Sequence, residues 1–264
     1  MGYTEHELER LMLQARLLRP ITERLLRRAG IEPGMRVLDV GSGAGDVALL
    51  AAELVGPAGS VTGIDRDARS VALAMHRAES LRLTWAEFRA VTVEEFAGGT
   101  AFDAVVGRYV LVHQADPAAF LKAATRNLRA GGILAFHELD FTRSDPVSEP
   151  EVPVWDQTVT WLKRAMAAVI THADAGSRLG SHFADAGLPE PEVRSEFLTG
   201  SGPDSPQYRY AVDTVRTLLP VLARVGVSPD EIGVETLEAR LRAAVVQAGA
   251  QVTIAPQYLA TART

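Results

Sequence analysis

The stretch Val37-Leu38-Asp39-Val40-Gly41-Ser42-Gly43-Ala44-Gly45-Asp46 decides how this chain folds. An apolar run ends in glycines at every second position, and another apolar run, Val47-Ala48-Leu49-Leu50-Ala51-Ala52, follows at once. The pattern predicts a buried strand, a tight turn and the start of a helix. Glycines at such a turn let a ligand lie against bare backbone. The N–H groups at the helix start are expected to face a polar ligand. A nucleotide-like molecule held at the end of a first strand is the resulting expectation.

Working outward, Arg36–Val40 is the first strand and a helix covers about 46–55. Strands follow at Ser60–Asp65, Phe88–Val93, Ala104–Val110 and Ile133–His137. Helices are predicted at 67–82, with Asp67 as N-cap, and at 117–129, opened by Asp116-Pro117 and ended by Ala130-Gly131-Gly132. Upstream, Leu8, Leu11, Leu13, Leu17 and Leu18, then Ile21, Leu25 and Leu26, recur at helical spacing, and Pro20 is expected to divide two helices. Strands alternating with helices over about 35–140 call for a doubly wound, parallel sheet of the α/β class. Right-handed crossovers bring the carboxyl ends of its strands to one edge, where ligands bind.

After Phe141 the character changes. Residues 142–153 read as a loop, helices are predicted at 154–171, 177–187, 206–226 and 230–248, and strands at Glu192–Leu198 and Val252–Ala262. The helices at 206–248 sit between those last two strands as an insertion. A lid over the ligand edge and a pair packed on the flank both satisfy that placement.

The 264 residues suffice for a full α/β core and one added subdomain. With 47 % hydrophobic and 23 % charged residues the composition is that of a globular protein without a membrane-spanning stretch. The charged N-terminus, without an apolar core, is not expected to be a signal peptide, and His6 stands where a myristoylation motif wants Ser or Thr. No cysteine is present, which excludes disulfides, thiolate metal sites and cysteine nucleophiles. A cytoplasmic home is expected. The net charge of −6, without a basic block, argues against nucleic acid as a partner. Arginine greatly outnumbers lysine, as in GC-rich bacterial genomes; Lys122 and Lys163 are the only lysines.

Gly-rich turns of this kind serve nicotinamide or flavin dinucleotides and S-adenosylmethionine alike. Here the spacing is Gly-x-Gly-x-Gly, and Asp46 stands where the dinucleotide fingerprint wants its last glycine. Asp39 lies inside the strand, two residues before Gly41. Asp65 ends the second strand about 20 residues on, where a carboxylate can accept both ribose hydroxyls. Both ligand classes share that last feature.

The order of motifs chooses between them. Asp39 to Gly45, then Val61-Thr62-Gly63-Ile64-Asp65, Phe102-Asp103-Ala104-Val105-Val106 and Leu128-Arg129-Ala130-Gly131-Gly132-Ile133-Leu134 occur in sequence. Over roughly 30–140 this resembles the class I S-adenosylmethionine-dependent methyltransferases. Glu7-x-x-Arg10-Leu11-x-x-Gln14 and Gly107-Arg108-Tyr109-Val110-Leu111 look like a bacterial branch acting on small molecules. The fold so implied is a Rossmann-like, seven-stranded, mainly parallel sheet with helical lid additions. One continuous catalytic domain is expected: an N-terminal helical segment over the cofactor site (1–30), the cofactor-binding core (31–141), and the last strands with the lid (142–264).

The resemblance also implies roles. Gly41, Ser42, Gly43 and Gly45 form the turn, the first three lining the methionine part, with Asp39 linked to its ammonium. Asp65 takes the ribose hydroxyls and Arg66 flanks the adenine. Thr92 falls where the family carries an Asp for the adenine amino group, and the Val93 N–H serves the same ring. Arg108 passes near the methionine and the transferred methyl, or makes a structural ion pair. Gln14 closes the top of the site.

An oxygen acceptor needs a base, and strand ends four and five are where one belongs. His137 is the candidate for its near-neutral titration, beside Glu138, with His172 as a second. His137, Glu138 and Asp140 crowd one strand end too closely to converge on a metal, so none is expected. Trp155, Trp161, Met166, Tyr208 and Tyr210 either line an apolar acceptor pocket or pack a core. The expected partner is a small, partly hydrophobic methyl acceptor of natural-product type, with neither nucleic acid nor membrane; a homodimer is left open. The alternatives are a cofactor-binding protein or non-methylating enzyme on the same fold, and a nicotinamide oxidoreductase, against which the glycine spacing and Asp46 speak.

Overall fold

The structure, a computed structural model, describes residues 5–143 and 147–264, with only the backbone of 5–9. The expectations for residues 1–4, for the side chains of Glu7 and Leu8, and for 144–146 of the loop lie outside the described residues. In chain order the elements are α1 (Glu5–Ala29), β1 (Arg36–Val40), α2 (Asp46–Val55), β2 (Ser60–Asp65), α3 (Ala68–Ser80), β3 (Ala86–Ala90), β4 (Phe102–Arg108), a 3-10 turn (Leu111–His113), α4 (Pro117–Thr125) and β5 (Leu128–Leu139). There follow β6 (Ser148–Glu149), α5 (Pro153–Ala167), α6 (Leu179–Asp185), β7 (Glu192–Glu196), β8 (Gly200–Ser201), α7 (Pro206–Arg224), α8 (Pro229–Ile232), α9 (Val234–Ala248), β9 (Gln251–Val252) and β10 (Gln257–Arg263).

Two compact units share the chain. One comprises Arg19–Glu138, Ala175–Ser195 and Tyr258–Thr264; the other comprises Met1–Leu18, Leu139–Asp174 and Glu196–Gln257. The first is built on a seven-stranded sheet of order β3-β2-β1-β4-β5-β10-β7. Its ladders β1–β2, β1–β4, β2–β3 and β4–β5 are parallel. The chain runs outward from β1 to β3 and returns past β1 to β4, so the order reverses between β1 and β4. In open α/β sheets that reversal opens a crevice at the carboxyl ends. Val37, Leu38, Val40, Ala104, Val105 and Val106 are buried because both sheet faces are covered.

The second unit is helical. Helices α5, α7 and α9 pack on one another around Trp155, Trp161, Tyr208, Leu222 and Leu241. Trp155 meets Tyr208 edge-on, and its Nε1–H donates to the Thr253 carbonyl at 2.9 Å. Tyr208 closes its own hydroxyl on the Gly202 carbonyl at 2.7 Å. These aromatics therefore form the unit's core, while Met166 and Tyr210 are only partly buried against it. A small antiparallel sheet, β6-β9-β8, completes the unit.

Several boundaries differ from the sequence reading. Pro20 lies inside α1 and does not divide it. Its ring is exposed, so the missing N–H leaves the carbonyl a turn earlier beside solvent and the helix continues. The segment read as one helix at 230–248 breaks at Gly233, whose left-handed φ of 56° caps α8 and starts α9. The strand read at Val252–Ala262 is two, β9 and β10. Strand β3 begins and ends earlier than read, as does β4, and β5 is longer at both ends. Helix α4 stops at Thr125.

Candidate functional site

The glycine turn between β1 and α2 is closed by its own hydrogen bonds. The N–H groups of Gly41 and Ser42 both donate to the Ile64 carbonyl at 2.8 and 2.9 Å, and that of Gly45 to the Ser42 carbonyl at 2.8 Å. The Gly43 N–H donates to Asp65 Oδ2 at 2.9 Å. These four N–H groups of the turn are therefore held within the protein.

The three glycines differ in what they allow. All have positive φ, at 71°, 51° and 85°. A Cβ on Gly41 would stand 2.5 Å from Val110 Cγ2, and one on Gly45 would stand 2.9 Å from Ala74 Cβ and 3.1 Å from the Phe88 ring. A Cβ on Gly43 would meet nothing within 4 Å. Gly41 and Gly45 are thus needed for close packing, and Gly43 faces open space.

Two carboxylates belong to the strands on either side of the turn, β2 and β1. Asp65, at the end of β2, accepts from Gly43 N–H through Oδ2 and from Asp67 N–H through Oδ1 at 2.8 Å. Each oxygen keeps a further lone pair for an outside donor. Asp39, inside β1, is only 1 % exposed; the Ala48 N–H and the Arg108 cation face it, but neither of its oxygens closes a hydrogen bond of good geometry. Burial pushes its pKa up to about 7, against the pull of the nearby Arg108 cation. A buried carboxylate so weakly held is costly to ionise, and an incoming cation relieves that cost.

On the far side of β2, the Asp65 carbonyl accepts from Val91 N–H and ties down the loop that carries Thr92 and Val93. The Thr92 hydroxyl donates to Glu95 Oε2 at 3.0 Å. Its oxygen is therefore left to accept, the polarity that an amino group requires. Arg66 follows Asp65 with an exposed side chain.

At the carboxyl ends of β4 and β5, Arg108 and His137 are in register. Arg108 Nη2 pairs with Asp46 Oδ2 at 2.9 Å, and Nη1 donates to Thr22 Oγ1 at 3.3 Å. Arg77 holds the other oxygen of Asp46 at 2.7 Å. Of the two sequence readings for Arg108, the structure displays the ion pair. His137 is wholly buried; its Nδ1 lies 3.1 Å from Thr22 Oγ1, and Tyr109 meets its ring edge-on at 5.4 Å. Glu138, also wholly buried, accepts from Val110 and Leu111 N–H through Oε1 at 2.9 and 2.8 Å. Burial raises its pKa to about 8 in spite of these donors.

A methyltransferase-domain family model matches residues 31–187 of this chain. The chain belongs to the class I S-adenosylmethionine-dependent methyltransferases. A ubiquinone biosynthesis O-methyltransferase of Paramagnetospirillum magneticum is 39 % identical over 100 residues, 38 % of this chain and 39 % of that protein. An arsenite methyltransferase of Aquipseudomonas alcaligenes is 33 % identical over 129 residues, 45 % of this chain and 37 % of that protein. The chain thus spans about two-fifths of the length of such curated relatives. A putative methyltransferase from Bacillus halodurans shares the fold with a TM-score of 0.59 at 17 % identity, over 92 % of this chain and 97 % of that one. The [4+2]-cyclase SpnF does so with a TM-score of 0.54 at 23 % identity, over 93 % and 80 %.

The methyltransferase fold explains the opening at Gly43, and the residues present fit the family's cofactor. The buried, incompletely satisfied Asp39 would suit its ammonium, the open Gly43 its close approach, and the spare lone pairs of Asp65 its ribose hydroxyls. The structure brings Asp39, Gly41, Ser42, Gly43, Gly45, Asp65, Arg66, Thr92, Val93, Arg108 and His137 into one unit. Gln14 belongs to the helical unit, where its Oε1 accepts from Arg10 Nη1 at 3.0 Å. Asp140 also belongs there, its Oδ1 held by the N–H and hydroxyl of Thr142 at 2.7 and 2.6 Å. Sequence reasoning missed the parts played by Thr22 and Asp46. The acid in the first turn of α2 was a visible signal for Asp46; nothing local marks Thr22.

Among the described residues, no helix is long and apolar enough to cross a membrane, and no group of three or more His, Cys, Asp or Glu side chains could hold a metal ion.

Proposed function

We propose that this protein transfers a methyl group from S-adenosylmethionine to an oxygen, nitrogen or carbon nucleophile of a small, partly hydrophobic molecule. The observation that carries the reading is the open Gly43, whose N–H is held by Asp65 across the turn, with the buried and incompletely satisfied Asp39 in the strand that leads into it. When bound, the cofactor supplies a methyl on a sulfonium, an electrophile that needs little further activation. The protein's part is orientation, which can contribute roughly 7–11 kcal/mol to lowering the barrier.

In this reading Asp65 takes the ribose hydroxyls, Asp39 the ammonium, and Thr92 and Val93 the adenine edge. Arg108, anchored on Asp46, lends its positive field to the methionine carboxylate. His137 takes the proton of a hydroxyl acceptor; its support is its place at the carboxyl end of β5, in register with Arg108. Because His137 is wholly buried, with Thr22 and Tyr109 against its ring, an acceptor reaches it only when these neighbours move aside. The names of the ubiquinone-pathway and arsenite relatives favour a small acceptor, and we extend this to natural-product intermediates.

The test is transfer of labelled methyl from S-adenosylmethionine to a panel of catechols, phenols and amines, with His137→Gln as control. The expected result is transfer by the wild type and its loss in the variant, with cofactor affinity kept. A non-methylating role is the second reading, favoured by the enclosure of His137. Tight cofactor binding with no transfer to any acceptor would support it.

A further inference from the structure

Val110 and Gly41 touch where β4 and β1 end. A Cβ on Gly41 would stand 2.5 Å from Val110 Cγ2 and 3.2 Å from Val110 Cβ. The isopropyl group therefore bounds one side of the glycine turn. Its position is not given by β4 alone, which ends at Arg108. Tyr109 intervenes with φ of 55°, a left-handed conformation unfavourable for a residue bearing a Cβ. Such a residue persists only where its surroundings hold it, and outliers of this kind gather at functional sites.

What holds it comes from β5. The Tyr109 N–H donates to the His137 carbonyl at 2.9 Å. The next two N–H groups, of Val110 and Leu111, both converge on Glu138 Oε1 at 2.9 and 2.8 Å. Glu138 is wholly buried, and the methyl-transfer reading gives it no task. A carboxyl enclosed in apolar surroundings is an expensive anchor for two amides. Its placement beside the one kinked segment that leans on the cofactor turn gives a reason for it.

We propose that Glu138 is a positioning residue of the cofactor site: by holding the two amides after Tyr109 it seats Val110 against Gly41 and fixes the wall of the glycine turn. This rests on the reading that the turn holds S-adenosylmethionine. A glutamine at 138 offers the same carbonyl oxygen to both donors, whereas leucine offers none. The act is mechanical and passes through Val110, so removing the isopropyl group must weaken the cofactor without touching the carboxyl.

The experiment is calorimetric titration of the full chain with S-adenosylmethionine and S-adenosylhomocysteine, comparing wild type, Glu138→Gln, Glu138→Leu and Val110→Ala, with circular dichroism to confirm folding. Glu138→Leu is expected to raise both dissociation constants about tenfold or more, the scale of losing buried hydrogen bonds. Glu138→Gln recovers affinity to within about threefold, and Val110→Ala raises the constants about fivefold while melting as a folded protein. Combining Glu138→Leu with Val110→Ala adds little, because both act through one contact. Should the leucine variant fail to fold, the other two decide. Wild-type affinity in Val110→Ala, or a glutamine variant that binds no better than one without the anchor, overturns the proposal. A wild type that binds neither compound overturns the cofactor reading and the proposal with it.

Discussion

Arg108, at the end of β4, and Asp46, at the start of α2, are joined by an ion pair of 2.9 Å in which the arginine side chain is 8 % exposed and the aspartate 19 %. The pair ties the strand end to the helix that follows the glycine turn. Arg77 grips the same carboxylate from α3 and also donates to the Ala44 carbonyl inside the turn. One aspartate thus joins three elements that surround the cofactor edge.

Asp46→Ala is expected to cost about 2–3 kcal/mol of stability, because it strands an almost enclosed guanidinium. The exposed pair Arg19–Glu53 is the control, its side chains 45 % and 42 % exposed. Glu53→Ala should cost less than about 1 kcal/mol. Urea unfolding of both variants checks the contrast, and equal losses would contradict it.

Asp65→Ala is expected to weaken S-adenosylmethionine binding by about 1.5–3 kcal/mol, the scale of lost charge-assisted hydrogen bonds. The same change removes the acceptor for Gly43 N–H, so the turn loosens as well. Calorimetric titration reads the effect, and an unchanged dissociation constant contradicts the ribose assignment.

The glycines at 43 and 45 should separate stability from binding. Gly45→Ala drives a methyl into Ala74 and Phe88 at a φ of 85°, and is expected to cost more than about 2 kcal/mol. Gly43→Ala meets no atom, so its stability cost is limited to backbone strain of about 1–2 kcal/mol. In the proposed reading that space holds the cofactor, so the affinity loss should be the larger effect. Thermal melts with and without S-adenosylhomocysteine distinguish the two.

Asp39 links cofactor binding to pH. Burial raises its pKa to about 7 in the free protein, so it is partly protonated near neutrality. A bound cation lowers that pKa, so binding releases a proton and tightens as pH rises from 6 toward about 7.5. Calorimetry in buffers of differing ionisation heat should show the release in the wild type and lose it in Asp39→Asn. Equal proton release by both proteins contradicts the assignment.

Glu138 links stability to pH in the opposite sense from a paired carboxylate. Its folded pKa lies near 8, above the ordinary value of 4.5, so its contribution is complete below about 4.5 and is lost as pH rises through about 8. Relative to Glu138→Gln, the wild type should lose up to about 1.4 kcal/mol per pH unit between those limits. Parallel stability curves for the two proteins would contradict this.

What the sequence disclosed and what it withheld follow from the range of the interactions. The segment from Val37 to Asp46 carries its own strand, turn and helix start, and β1, β2 and α2 lie where it places them. Asp67 and Asp116 cap their helices through contacts two or three residues away, which spacing reveals. The hydrogen bonds of Thr22 with His137 and of Glu138 with Val110 span 115 and 28 residues, and no local pattern announces them. The strands β6, β8 and β9 have two residues each, too few to show alternation. Pro20 misled because its helix-breaking tendency is local, whereas the buried stripe of Leu18, Ile21, Leu25 and Leu26 around it holds one helix.

The central claim is that the glycine turn, Asp39 and Asp65 form an S-adenosylmethionine site. Its most direct test is calorimetric titration of the unmodified protein with S-adenosylmethionine, S-adenosylhomocysteine and NAD. Saturable one-to-one binding of the first two, with none of NAD, is the expected result. Binding of NAD without either of the others would contradict the account.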